Sequence, residues 1–150
     1  MSNRQRGVPT PEDMIPELID RISRVPYLGT PVRGLNRAQW AALRFFASSK
    51  AEDRTSTAFA RFHGTTKGTA SQTIMALERK ELIARSPMPG DARSHRIDLT
   101  ELGMQTLAED PVGKLQDSVR MLTPMQQHDL MKHLDLLAKQ IVSDSAPAAE

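Results

Sequence analysis

The sequence predicts a mainly α-helical fold with one small β-hairpin. Helix, turn, helix and hairpin follow one another in mid-chain, and further helices stand at both ends. Three runs carry this reading. Ala58, Phe59 and Phe62, then Ala70, Ile74 and Leu77, recur at helical spacing on either side of His63-Gly64-Thr65. Ile97 and Leu99 alternate with the polar Arg96, Asp98 and Thr100, as a half-buried strand requires, and turn residues at 87–90 separate them from the segment Leu82 to Arg85. Ile15, Leu18, Ile19 and Ile22 near the start, and Leu130, Leu134, Leu137, Ala138 and Ile141 near the end, form an apolar stripe on each terminal helix.

Taken in order, residues 1–10 are polar and basic and are expected to lack fixed structure. Thr10-Pro11-Glu12-Asp13 reads as an N-cap, a proline at the first helical position and acids in the first turn. This first helix carries Pro16 in its early turns and ends before Pro26, and Pro26, Gly29, Pro31 and Gly34 make the next stretch a loop. Asn36 and Gln39 then stand at capping-box spacing, with Leu35 and Trp40 at the hydrophobic-staple positions. The second helix therefore starts here and sends Trp40, Leu43, Phe46 and Ala47 inward.

A third helix is expected from about Thr55 to Phe62, burying Ala58, Phe59 and Phe62 and stopping at His63-Gly64. Thr66 caps a fourth that extends to about Lys80 and buries Ala70, Ile74 and Leu77. The hairpin follows, with Arg93 at its tip. Thr100 caps a fifth helix to about Glu109, Pro111 either kinks or interrupts it, and Leu115, Val119 and Leu122 continue the apolar pattern. Thr123-Pro124-Met125-Gln126 opens the last helix through a second capping box, and Ser143 to Glu150 are expected to fray.

With 150 residues and no apolar run of membrane-spanning length, the chain reads as one domain with a sizeable core. No apolar segment follows the N-terminal charges, so no secretory signal and a cytoplasmic address are expected. The absence of cysteine excludes disulfides, thiolate metal sites and thiol-based peroxide sensing within these residues. The net charge of +2 conceals an asymmetry: residues 36–100 hold eleven Lys and Arg against six Asp and Glu, whereas residues 101–150 hold four against eight. A polyanion would meet the central segment, with the acidic C-terminal part turned away from it.

The outer face of the fourth helix points the same way. Lys67, Thr69, Ser71, Gln72 and Thr73 are short or polar and several are weak helix formers, so helix stability does not explain them. A helix lying in the major groove needs such donors and acceptors near its N-terminus, with Thr66 as cap and Gly68 admitting a close sugar-phosphate approach. Arg93 at the hairpin tip suits a narrow minor groove, whose enhanced negative potential attracts a guanidinium. Asp91 would hold that guanidinium in one direction by pairing with it. Ser94, His95 and Arg96 are candidate phosphate contacts, and Arg61 and Lys67 could flank the groove.

Asp91, Arg93, Ile97, Leu99, Thr100 and Gly103 fit the pattern D-x-R-x-x-x-[ILV]-x-L-T-x-x-G without a gap. Upstream of them, Gly68-Thr69-Ala70-Ser71 and residues 76–83 match a recognition helix and the turn after it. On these residues the chain resembles the MarR-type winged helix-turn-helix transcriptional regulators. The resemblance implies one domain over residues 1–150, with a DNA-binding lobe at 35–103 and a helical dimerisation region at 10–34 and 104–143. It further implies an isologous homodimer on a pseudo-palindromic double-stranded operator, acting as a repressor released by a small aromatic or phenolic ligand. Tyr27, Arg33, Trp40 and Phe45 are the candidate ligand walls, near the junction of the two regions. Two residues depart from the pattern: Glu81 stands where glycine commonly follows the recognition helix, so the chain is expected to leave that helix without a left-handed cap, and Gln72 stands where arginine is common, which implies adenine-edge readout or a lower dependence on guanine.

Enzyme chemistry finds little support. His128 and His133 are five residues apart and face different sides of a helix, and no phosphate loop, nucleophile elbow or paired-carboxylate constellation stands out, so no metal or cofactor is expected. The remaining alternative is a winged-helix module that binds protein without specific DNA affinity. That reading calls for an apolar or acidic recognition face.

Overall fold

The computed structural model describes residues 8–145. It contains α1 (Pro11–Arg24), α2 (Arg37–Ser48), α3 (Ser56–His63), α4 (Lys67–Arg79), β1 (Ile83–Met88), β2 (Asp91–Leu99), α5 (Glu101–Leu107), α6 (Gly113–Arg120) and α7 (Pro124–Ser145). Three single 3₁₀ turns, at Val25–Tyr27, Val32–Gly34 and Ala51–Asp53, lie in the connections. The expected fraying of residues 1–7 and 146–150 lies outside the described residues, but residues 143–145 continue α7 instead of fraying, with Ser143 Oγ donating to the Gln140 carbonyl at 2.8 Å.

Local chemistry starts most of these helices. Asn36 Oδ1 accepts from Gln39 N at 2.9 Å while Gln39 Oε1 accepts from Asn36 N at 3.1 Å, closing the capping box of α2. Thr55, Thr66 and Thr100 each turn a hydroxyl onto the backbone N–H three residues on. Thr123 and Gln126 repeat the reciprocal arrangement at α7.

The core sits entirely in the middle of the chain. Leu35, Trp40, Leu43, Phe46, Phe59, Ala70, Ile74, Leu77, Leu82, Ile83 and Ile97 are buried together, so α2, α3 and α4 pack around the base of the hairpin. No residue of α1 or α6 is buried, and the stripes Ile15, Leu18, Ile19, Ile22 and Leu130, Leu134, Leu137, Ile141 face outward in the single chain. Phe62 departs from expectation: it is 69% exposed. Phe59 takes the inward position on the short α3, and Phe62, three residues on, reaches only the edge of the core, where its ring lies 5.0 Å from that of Phe45.

β1 and β2 pair antiparallel from Ile83↔Leu99 to Met88↔Asp91, with a bulge at Pro87/Met88. The turn is therefore tighter than the sequence suggests: Pro87 and Met88 remain in the strand, and Pro89-Gly90 alone reverse the chain, with Gly90 at φ +83°.

The exit from α4 shows how a departure from the usual pattern is accommodated. Glu81 adopts the left-handed conformation, φ +58°, that glycine normally supplies. Leu82 N donates to the Leu77 carbonyl at 3.0 Å and Glu81 N to the Glu78 carbonyl at 2.9 Å, the two bonds of a Schellman cap. The expectation that the chain leaves this helix without a left-handed cap is thus corrected. The cap forms on a residue with a Cβ, because the turn into β1 demands it. The same corner explains Gly103. A Cβ there would stand 2.0 Å from the Leu82 carbonyl oxygen, and Thr100 Oγ1 donates to the Glu81 carbonyl at 2.6 Å beside it.

Two stability outcomes follow for this corner, both measurable by urea denaturation. Glu81→Gly relieves left-handed strain, offset in part by glycine's greater unfolded-state entropy, and stabilises by about 0.5–1 kcal/mol. Gly103→Ala forces a methyl against backbone and costs about 3 kcal/mol or more.

Candidate nucleic-acid interface

Burial of Ala70, Ile74 and Leu77 decides which side of α4 remains free. Lys67, Gly68, Thr69 and Gln72 are exposed, and Ser71 and Thr73 are half-buried at the margins. Their hydroxyls are not equally available. Thr66 Oγ1 accepts from Thr69 N and donates to Thr69 Oγ1 at 3.0 Å, and Thr73 Oγ1 donates to the Thr69 carbonyl at 3.1 Å. Thr66 and Thr73 are thereby committed to the helix, whereas Thr69 keeps its proton. Ser71, Gln72 and Lys67 carry no side-chain partner among the described residues, and neither does Arg61, exposed in the last turn of α3.

On the hairpin, Arg93 is exposed and its guanidinium is unpartnered among the described residues. The expected Asp91–Arg93 side-chain pair does not form. Asp91 instead accepts from Arg93 N at 2.9 Å and from Ser94 Oγ at 2.7 Å, because the carboxylate reaches nearby donors of its own turn without ordering a long side chain. These bonds, the Ser94 hydroxyl first and the Arg93 backbone second, hold the Asp91 carboxyl below its usual range. Asp91 therefore shapes the loop that presents Arg93. His95 is exposed opposite Pro87.

Arg96 is tethered, its Nε donating to Asp98 Oδ2 at 2.8 Å. Asp98 also accepts from Arg54 Nη1 at 2.7 Å, and Arg54 is fixed in turn by its Nε on the Ser49 carbonyl and its own carbonyl on Ile97 N. Burial raises the Asp98 carboxyl, but hydrogen bonds from Arg54 and Arg96 outweigh it, and the group is held below its ordinary value. At the base of the hairpin, Arg85 pairs with Glu78 at 3.0 Å and ties β1 to the end of α4.

The four candidate ligand walls separate. Tyr27 and Trp40 line a cavity of about 470 Å³ with Leu28, Arg37, Asp110 and Lys114. The Trp40 indole N–H is buried there without a partner among the described residues, and the Arg37 guanidinium lies 5.3 Å from the Tyr27 ring centre. Arg33 is not a wall; it forms a two-pronged pair with Glu109 at the cavity's edge, one prong at 2.9 Å. Phe45 belongs instead to the cluster of Phe46, Phe59 and Phe62 inside the lobe, since it points to the opposite side of α2 from Trp40.

With this geometry in place, the lobe can be compared with known proteins. Residues 33–94 match the family model described as MarR family. Solved structures share the fold across almost the whole chain. The MepR–DNA complex of Staphylococcus aureus superposes with a TM-score of 0.68 at 18% identity, covering 89% of this chain and 99% of that one. Sco3205 of Streptomyces coelicolor, a MarR family transcriptional regulator solved in complex with DNA, gives 0.63 at 21%, covering 92% of each chain. PcaV of Streptomyces coelicolor, solved with its natural ligand, gives 0.66 at 16%, covering 90% and 98%. No curated protein sequence matches.

Within this lobe, sequence reasoning missed Arg54, Asp98 and Met75. Met75 is 46% exposed one turn beyond Gln72 and adds an apolar group to the free face of α4. Its place was readable from helical spacing, since Ile74 occupies the inward position. The role of Arg54 and Asp98 was not, being a contact across 44 residues.

Asp98 has a measurable pH signature. Its folded-state pKa is depressed, so its contribution is present above the ordinary aspartate range near pH 4 and is lost as pH falls through the folded value. Wild type is more stable than Asp98→Asn in urea at pH 7, and the gap closes as pH drops below about 4.

Proposed function

We propose that this chain is a homodimeric transcriptional repressor that binds a pseudo-palindromic DNA operator and releases it on binding a small molecule. One observation carries the reading: among the described residues Lys67 and Gln72 on the exposed face of α4, Ser71 at its margin and Arg93 on the neighbouring hairpin carry no side-chain partner. That face is polar and basic, as major-groove readout requires, with Gln72 suited to the adenine edge. Arg93 enters the adjacent minor groove, while Arg61, Lys67, His95 and the tethered Arg96 meet phosphates.

The outward apolar stripes of α1 and α7 support dimerisation, since burying them between two copies removes the apolar surface that one chain leaves in water. Two lobes related by a two-fold axis place two α4 helices in successive major grooves about 34–36 Å apart. MepR and Sco3205 are both solved with DNA, which favours the same use of this fold. The cavity beside Tyr27 and Trp40, with Arg37 and Lys114 on its wall, suits a small aromatic or phenolic anion, and PcaV is solved with a ligand. Among the described residues no helix is long and apolar enough to cross a membrane, and a cytoplasmic site of action accords with this reading.

Fluorescence anisotropy with random and upstream genomic duplexes tests the proposal. The logarithm of affinity falls linearly with the logarithm of salt, at a slope of about −0.9 per phosphate neutralised. Arg93→Ala weakens operator binding by roughly 1–3 kcal/mol without unfolding the protein. No duplex binding at low salt would return the chain to the protein-interaction reading. A thermal-shift screen with aromatic acids tests the ligand, which raises the melting temperature if it prefers the native dimer.

A further inference from the structure

We propose that Arg44, Asp110 and Tyr27 form a positioning clamp that sets the angle between the DNA-binding lobe and the terminal helices, and hence the separation of the two α4 helices on DNA. The proposal rests on the dimeric reading above. Its starting point is the distribution of apolar burial. α2 is built into the lobe core through Trp40, Leu43 and Phe46, whereas α1 and α6 contribute no buried residue. Hydrophobic packing therefore fixes the lobe internally but gives little hold on how the terminal helices leave it.

Polar contacts at the joint supply that hold. Arg44 Nη1 donates to both Asp110 oxygens, at 2.9 and 2.8 Å, and its Nη2 donates to Tyr27 Oη at 3.1 Å. Asp110 lies between α5 and α6, and its Oδ1 also accepts from Val112 N at 2.9 Å, shaping the entry to α6. Tyr27 lies between α1 and α2. One guanidinium thus joins both chain segments through which the lobe meets the rest of the molecule. The neighbouring Glu109 is held by Arg33 from the segment before α2, so both acids of the joint are secured from the N-terminal side.

The environment makes these contacts firm. The Asp110 side chain is 13% exposed, and loss of its partner would leave a carboxylate largely shut away from water. Burial works against the Arg44 charge, but the bonds to Asp110 and Tyr27 outweigh it and keep the guanidinium protonated. The clamp is nevertheless not packed in. The cavity holding Tyr27 and Trp40 lies on one side of Asp110, and a groove of about 570 Å³ lined by Arg44, Leu107, Asp110 and Gly113 lies on the other. With open volume on both sides, the joint can swing once the three side chains part.

The absence of cysteine allows a clean test. Glu52→Cys places one exposed label on each lobe, and pulsed spin resonance then reads the distance between lobes in the dimer. In that background Asp110→Asn and Tyr27→Phe are compared with the parent for label distance, dimerisation, melting temperature and affinity for operators of varied half-site spacing. Asp110→Asn is expected to shift or broaden the distance by several ångström, weaken the best operator about tenfold and flatten the spacing preference. Tyr27→Phe, which removes only a hydroxyl and keeps the fold, moves the same readouts less. Unchanged distance and spacing preference in a dimeric variant, with affinity loss merely tracking melting temperature, would overturn the clamp while leaving the dimeric reading intact. A monomeric parent overturns the dimeric reading and the clamp with it.

Discussion

The approach of Gly103 to the Leu82 carbonyl is the constraint on which the winged lobe depends. Four elements meet there: the end of α4, the first residue pair of the hairpin, the Thr100 cap and the start of α5. Backbone bonds connect them, from Thr100 N to the Leu82 carbonyl and from Leu82 N to Leu77, and the Thr100 hydroxyl adds a bond to the Glu81 carbonyl. Since no Cβ intervenes, α5 can lie against the strand and hold the hairpin at a fixed angle to α4. The placement of Arg93, seven residues before Thr100, is inherited from this seam.

Within the lobe, polar groups divide into those that build the surface and those left over for a ligand. The hydroxyls of Thr66 and Thr73 and the carboxylate of Asp91 are consumed by their own helix or turn. Asp98 gathers Arg54 and Arg96 into one cluster, which holds two cations close to the hairpin around a single acid. What remains unpaired among the described residues is a small set of side chains on an ordered frame, so a ligand meeting them would not have to order the backbone beneath.

Local rules made much of this legible. The capping residues Asn36, Thr55, Thr66, Thr100 and Thr123 announce their helices because a cap acts over three residues, and the inward set Ala70, Ile74 and Leu77 follows from helical periodicity alone. Legibility ended where contacts were distant or competing. Nothing local couples Arg44 to Asp110, 66 residues away, or Arg54 to Asp98. Asp91 had two nearby bonding choices, and the one with the smaller ordering cost was taken. Phe62 was misread because periodicity marks a face and not how far the core extends beneath it. Phe45 was misread as a cavity wall because proximity in sequence to Trp40 hides their opposite directions. Glu81 shows tertiary demand overriding residue preference: the turn into β1 imposes a positive φ whatever side chain is present.

The bulge at Pro87 has a bearing on how these molecules behave when crowded. A two-stranded ribbon presents free borders, and a free border normally invites a strand from another molecule to dock. Proline lacks the N–H that such docking needs, and the irregular spacing beside Met88 breaks the repeat that an intruding strand would follow. At high concentration the hairpins of neighbouring copies are therefore disinclined to zip together.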